Sequence, residues 1–313
     1  MKIVVLDQAT LGEDIDLSPL AAVGEIVVYD NTPPALVRER LMDADVAVLN
    51  KIKLHQDNLS GTAVRLICVA ATGYDNIDTA YCRKTGVALC NVPGYSTDSV
   101  AQLTLAMALQ LATRLDEYTA YVNSGDYTAS GVANKLSPVF HEIAGKTWGV
   151  VGGGGIGRRV ARLAQAFGCR VLMCRRQEER EFEAADLDRL CREADILSLH
   201  CPLSEQTRGM LSRERIAMLK EGAIVINTAR GAVTDEAALA QAVKEGSIAL
   251  GCDVYSVEPF GKEHPFYELR GLPQVCLTPH MAWGSYQARQ RCVAMMADNI
   301  RHFYQGESHN RIV

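Results

Sequence analysis

Three polar side chains stand just beyond three apolar runs in the second half of this 313-residue sequence. Arg230 in NTARG follows 223–227, Glu258 in DVYSVEP follows 250–254, and His280 in TPH follows 275–278. If the runs are strands of an open parallel sheet, ligands bind outside their carboxyl ends, and the three residues converge on one crevice. Their chemistry is complementary. An imidazole donates a proton near neutral pH. A carboxylate on its other nitrogen fixes the tautomer and supports the charged ring. A guanidinium holds a substrate carboxylate by charge-assisted bonds and polarises the neighbouring carbonyl. That set suits reduction of a 2-oxo acid, which further needs a hydride donor. Singly, each residue has an ordinary explanation: a structural histidine, a turn before proline, a surface arginine. Only the joint arrangement argues for chemistry.

The hydride donor has its own signature upstream. Gly152, Gly154 and Gly157 in VVGGGGIG match G-x-G-x-x-G, following an apolar run and opening a helical one. That context turns a weak pattern into a dinucleotide fingerprint. Gly152 allows the tight turn, Gly154 lets backbone approach a pyrophosphate, and Gly157 permits close helix packing. The helix N-terminus supplies amides and a positive dipole end, with Gly155 and Ile156 in its first turn. About 20 residues on, a carboxylate ordinarily binds the ribose hydroxyls. Here Arg175 and Arg176 stand in that place. A guanidinium pair suits a 2′-phosphate, so the sequence points to NADP(H), with NAD(H) as the alternative. The competing reading is two solvated arginines.

Two α/β stretches must position these groups. Runs at 3–6, 26–29, 46–49, 66–70 and 87–89 read as strands with helical segments such as 35–42 between them. A long helix is expected over about 96–122, and a looser arm containing Gly125, Gly131 and Pro138 over 123–142. Strands resume at 148–151, 171–174, 196–200, 223–227, 250–254 and 275–278, with a helix at 156–167 and a last one over about 285–304. Alternating strands and helices predict parallel sheets covered on both faces.

The bulk numbers agree with an ordinary globular protein. Hydrophobic residues make up 48% and charged ones 22%, with a net charge of -5, which gives no electrostatic reason to expect nucleic acid or an anionic membrane as partner. No apolar stretch reaches the roughly 18–20 residues that span a bilayer, and MKIVVLD has no secretory signal character. Ten cysteines without C-x-x-C spacing argue against zinc or disulfides, and no metal is expected. They read as free thiols in a reducing cytoplasm.

Seven ordered motifs resemble the D-2-hydroxyacid dehydrogenase family over essentially the whole chain: ATGYDNID, NVPGYSTDSVAQ, VGGGGIG, LHCPLSEQTRGM, NTARGAVTDEAAL, GCDVYSVEP and TPHMAW. The resemblance implies an α/β protein of two doubly wound parallel-sheet domains. A flavodoxin-like substrate domain would comprise 1–98 and 285–313. An inserted Rossmann domain would comprise 99–284, with a cleft between the two. It also implies His280 as acid/base, Glu258 as its partner and Arg230 as clamp. Lys51, Thr72, Gly73 and Trp283 would line the substrate site, Trp283 having a plain core aromatic as its alternative. Thr104, His200, Pro202, Thr207, Thr228, Ala229 and Asp253 would meet the cofactor, Asp253 near the carboxamide, with His280 facing it as well.

Within the family, LNKIKL, NVPGYSTDSVAQ and PHMAW look most like glycerate dehydrogenases and hydroxypyruvate or glyoxylate reductases. The expected activity is NAD(P)H-dependent reduction of hydroxypyruvate or glyoxylate to the D-2-hydroxy acid, by a homodimer joined through the nucleotide-binding domain. The alternatives are an NADH-dependent D-lactate or broader D-2-hydroxyacid dehydrogenase, a sugar-acid reductase, and a nucleotide-sensing corepressor-like binding protein.

Overall fold

The computed structural model describes residues 1–175 and 181–313, and the chain divides into two compact units, Met1–Ser96 with Trp283–Val313 and Thr97–Ala282. In the first, the apolar runs become β1 (Lys2–Val5), β2 (Glu25–Val28), β3 (Val46–Leu49), β4 (Leu66–Val69) and β5 (Ala88–Cys90). They pair in parallel in the order β2-β1-β3-β4-β5, the flavodoxin-like arrangement. Every residue of β3 and β4 is buried, as unbroken apolar runs require of strands covered on both faces. The helix Tyr286–Tyr304 supplies one cover, packing Ala288, Cys292, Val293, Met296 and Ile300 against Val46, Val48 and Leu66. Val37, Leu41, Leu59 and Cys82 pack against Ala47, Leu49 and Ile67 on the other face.

The second unit holds β6 (Thr147–Val151), β7 (Arg170–Cys174), β8 (Glu183–Ala184), β9 (Ile196–Leu199), β10 (Ala223–Asn227), β11 (Ile248–Cys252) and β12 (Val275–Leu277). Their order, β12-β11-β10-β9-β6-β7-β8, is parallel throughout. Strand order reverses at β6, which lies between β7 and β9, and this switch point opens the crevice where a parallel sheet takes its ligand. Helices Thr97–Thr113 and Gly155–Ala166 bury Met107, Ala108, Val160 and Ala164 against Trp148, Val150 and Ile226. The opposite face carries Leu190, Leu239 and Val243 against Leu197, Val225 and Leu250. Trp148 donates its indole N–H to the Ser198 hydroxyl at 2.9 Å, so the large buried ring leaves no donor unsatisfied. The two ends of this unit meet, with the Ser99 hydroxyl donating to the Ala282 carbonyl at 2.6 Å.

Two expectations change. The helix expected over 96–122 is two helices, Thr97–Thr113 and Leu115–Asn123, broken at Arg114 with φ 55°. A left-handed residue ends the first helix. Asp116 and Glu117 then fall in the first turn of the second, where the dipole favours acids. Within the expected arm, Gly125 and Gly131, both at positive φ, bracket a short helix Asp126–Ser130. All ten cysteines are free thiols.

Candidate active site

β6 runs out into the glycine loop, and each glycine does a different job. Gly152 sits at φ 106°, and a Cβ there would come within 2.7 Å of the His200 carbonyl oxygen. A Cβ at Gly157 would lie 1.8 Å from the Gly152 carbonyl oxygen, so the helix can close on the loop only with glycine. Gly154 faces open space, with no atom of the described residues within 4 Å of where a Cβ would stand. A crowded turn, an open middle and the amides of a 12-residue helix fit the pyrophosphate of a dinucleotide. Gly153 adds something the fingerprint does not announce. A Cβ there would meet Cδ of Arg175 at 2.8 Å, so the arginine stem lies along the loop. Arg176 lies outside the described residues.

Beside the loop, His200 follows β9. It is half-buried as a residue, yet its Nε2 is sealed with no hydrogen-bond partner among the described residues, while Nδ1 lies 3.3 Å from the Thr228 hydroxyl. Burial pushes the imidazole down to about 3, so the ring is neutral at physiological pH. Thr228 in turn lies 3.2 Å from the hydroxyl of Thr104, which donates to the Val100 carbonyl. The structure thus joins Thr104, Thr228 and His200 in one polar chain, with a buried ring nitrogen at its end awaiting a partner. That orphan is the second feature that fits a bound cofactor. Thr207 spends its hydroxyl on its own loop, donating to the Pro202 carbonyl at 2.6 Å and accepting from the Ser204 amide.

The three residues expected to carry the chemistry follow three adjacent strands, β10, β11 and β12. After β10, Asn227 ties the turn by donating to the Arg230 carbonyl and accepting from the Ala229 amide, which places Arg230 half-buried at the strand end. After β11, Glu258 accepts the Tyr255 amide at 2.9 Å on Oε1 and stands 2.6 Å from His280 Nδ1 on Oε2. A carboxylate only accepts, so the shared proton belongs to Nδ1. His280 itself has φ 52°, an unusual backbone for a non-glycine residue. Asp253 holds it there: its carboxylate takes the Thr278 hydroxyl and the amides of Met281 and Ala282, at 2.5, 2.9 and 2.9 Å. Burial pushes the Asp253 carboxyl up against these donors.

The remaining candidates belong to the first unit. Lys51 follows β3, in a loop whose amides at Asn50, Lys51 and Ile52 all donate to the buried Asp7 carboxylate. Burial raises Asp7, and these amides oppose it. Thr72 and Gly73 follow β4, where the Asn91 side chain donates to the Thr72 carbonyl at 2.7 Å. Trp283 packs beside Tyr95, ring centroids 6.3 Å apart, against the sheet core. Sequence reasoning missed Glu236 and His264, which pair at 3.0 Å. It missed Asp7 as well. Only TDE ahead of an apolar run hinted at Glu236, and nothing hinted at its partner.

Comparison with known proteins agrees with this fold. Residues 105–282 match the family described as D-isomer specific 2-hydroxyacid dehydrogenase, NAD binding domain. A hydroxypyruvate reductase of Blautia hydrogenotrophica is 32% identical, the alignment covering 99% of each chain. A glycerate dehydrogenase of Methylorubrum extorquens is 33% identical over 99% of this chain and 98% of that one. Among solved structures, the D-lactate dehydrogenase of Aquifex aeolicus complexed with NAD and lactic acid superposes with a TM-score of 0.86. It is 28% identical, covering 98% of this chain and 96% of that one.

Proposed function

We propose that this chain, which belongs to the D-isomer specific 2-hydroxyacid dehydrogenase family of oxidoreductases, reduces hydroxypyruvate or glyoxylate with NADPH. The observation that carries the reading is the His280–Glu258 pair, 2.6 Å apart, at the carboxyl ends of the same parallel sheet that carries Arg230 and a glycine loop shaped for a dinucleotide. A reduced nicotinamide held at the glycine loop would supply the hydride for the carbonyl carbon. His280 gives a proton from Nε2 to the carbonyl oxygen, since Nδ1–H is committed to Glu258. Glu258 stabilises the charged ring and keeps its plane. Arg230 holds the substrate carboxylate and draws charge onto the carbonyl oxygen. The half-molecule 1–98 and 285–313 acts as substrate domain, with Lys51, the amides at Thr72 and Gly73, and Trp283 contacting the acid; 99–284 carries the nucleotide. Thr104, Ile156, His200, Pro202, Thr207, Thr228, Ala229 and Asp253 surround the cofactor. The named activities of the Blautia and Methylorubrum relatives support the substrate class, and membership of a dehydrogenase family disfavours a pure binding protein.

The preference for NADPH rests on Arg175. Its stem lies on Gly153, where a ribose-binding carboxylate would otherwise repel a 2′-phosphate. A charge-assisted bond contributes about 1.5–3 kcal/mol, hence roughly ten- to a hundredfold discrimination, eroded by salt. Kinetics with glyoxylate, hydroxypyruvate and pyruvate, each with both nucleotides at low ionic strength, test both readings. Arg175→Asp should move the preference to NADH; equal efficiency with NADH and NADPH in the parent enzyme would remove the NADPH reading.

The homodimer reading rests on the helical region that begins near Ser96 together with the arm. Leu115 and Val122 on the helix Leu115–Asn123, and Val132, Leu136, Val139 and Phe140 on the arm, are exposed, Leu136 by 76%, and clustered exposed apolar side chains mark interaction surfaces. A second copy covering it should show as twice the chain mass in light scattering at micromolar concentration. Ten unpaired thiols suit a reducing cytoplasm.

A further inference from the structure

We infer that Glu236 is a positioning residue for this reaction: by gripping Ser256 and His264 it fixes the turn that carries Glu258, and through Glu258 the His280 ring. The inference rests on the roles given to His280 and Glu258 above.

Glu236 opens the helix Glu236–Lys244, directly after the cap Asp235, which accepts the Ala238 amide. Its carboxylate is nearly sealed from water, a setting that a charge tolerates only with several donors. It has three. Oε1 accepts the Ser256 amide at 2.9 Å, and Oε2 takes the Ser256 hydroxyl together with His264 Nε2 at 3.0 Å. His264 Nδ1 accepts the Phe266 amide at 3.2 Å, so the ring proton sits on Nε2, facing Glu236. The rings of Tyr255, Phe260 and Phe266 surround that imidazole, with centroids 5.9, 5.0 and 5.2 Å away. Cys252 and Tyr255, two ionisable groups near the cluster, are both pushed up by burial and carry no charge at neutral pH, while Asp235 beside Glu236 is engaged as the helix cap and Glu258 with His280.

The grip falls on both sides of Glu258, at residue 256 before it and residue 264 after it. Consecutive amides divide between two carboxylates: Tyr255 donates to Glu258 and Ser256 to Glu236. The peptide joining them lies directly on Gly231, where a Cβ would come within 2.1 Å of both Tyr255 C and Ser256 N. Gly231 is the neighbour of Arg230. One peptide, pressed on Gly231 and held by Glu236, therefore anchors the turn that carries Glu258. Supporting contacts of this kind decide whether a reacting constellation is held tightly or an ångström too loosely.

The test is a double-mutant cycle on the whole enzyme. A misplacement of about 1 Å costs up to roughly a hundredfold in rate, so Glu236→Ala should lower kcat about tenfold while KM changes less than about threefold. The alkaline limb of the reduction profile should move to lower pH, as in Glu258→Gln but by less. In the Glu258→Gln background the Glu236→Ala effect should vanish, because both act through one group. Glu236→Gln, which retains an acceptor for the Ser256 amide, should recover most of the rate. Should Glu236→Ala fail to fold, Ser256→Ala and His264→Gln, each removing one grip, should show the same split on a smaller scale. Additive effects, or an unchanged kcat and pH profile, would overturn the inference while leaving the site reading intact. A Glu258→Gln enzyme with parental kcat and pH profile would overturn both.

Discussion

His280 meets Glu258 through Nδ1, and His264 meets Glu236 through Nε2; Glu258 and His264 both stand on the stretch between β11 and β12. The first pair is open to water, its side chains 23% and 31% exposed; the second is closed, at 6% and 9%. In the open pair the carboxylate takes the proton nearest the backbone, and the proposed reaction assigns proton delivery to the outer nitrogen. In the closed pair the outer nitrogen is itself bound to the carboxylate, and the inner one is bound to a main-chain amide. Identical residue types therefore do opposite work. An imidazole that moves protons needs one nitrogen turned toward a ligand; an imidazole with both nitrogens bonded inside the protein can only hold a loop in place. His200 is a third case, a buried ring without any carboxylate partner, kept neutral by desolvation alone.

The largest effect should separate the first two. His280→Ala should lower turnover by about 10²–10⁴-fold, the range general acid catalysis supplies, while nucleotide affinity measured by fluorescence titration stays near the parental value. His264→Gln should cost far less in turnover and show its main effect in the melting temperature. Comparable losses from both variants would erase the distinction.

Glu258→Gln comes next. A neutral amide keeps the geometry but no longer stabilises an adjacent imidazolium, so reduction should fade at lower pH than in the parent, with a loss of about tenfold near pH 8. A pH–rate profile identical to the parent's would reduce Glu258 to a structural neighbour.

The smallest effect is on stability and belongs to His200. Its imidazole titrates at about 3 when folded but near 6.5 when unfolded. Above that upper value neither state binds the proton, and the group has no effect on stability. As pH falls below it, the unfolded chain takes up a proton that the folded one refuses. Stability then drops by up to about 1.4 kcal/mol per pH unit. His200→Gln should flatten that slope, narrowing the loss between pH 7.5 and 5 by about 2 kcal/mol in denaturant titrations. Parallel slopes would show that water reaches the ring.

Much of this was legible because parallel strands announce themselves. Val46–Leu49 and Leu66–Val69 are wholly apolar and wholly buried, and the glycines of the loop are required by contacts as close as 1.8 Å. Arg230, Glu258 and His280 could be placed because each follows such a strand. What stayed hidden lacks a local pattern. Arg114 breaks a helix without glycine or proline to mark it. The two-residue strand Glu183–Ala184 is too short to carry periodicity. Glu236 and His264 are 28 residues apart and meet only through the fold. Asp7 and Asp253 bind mostly main-chain amides, which every sequence offers equally.

The bond from the Ser99 hydroxyl to the Ala282 carbonyl has a consequence for how such a chain could arise and be rebuilt. A segment whose entry and exit lie side by side can be spliced into a surface loop of a host without stretching it, which is why inserted domains favour neighbouring ends. Residues 97–282 carry the glycine loop, Arg230, Glu258 and His280 in one uninterrupted run. On the proposed roles, a gene fusion at these two points would move the reaction chemistry as a single cassette, leaving the host segments on either side to diversify around a different acid.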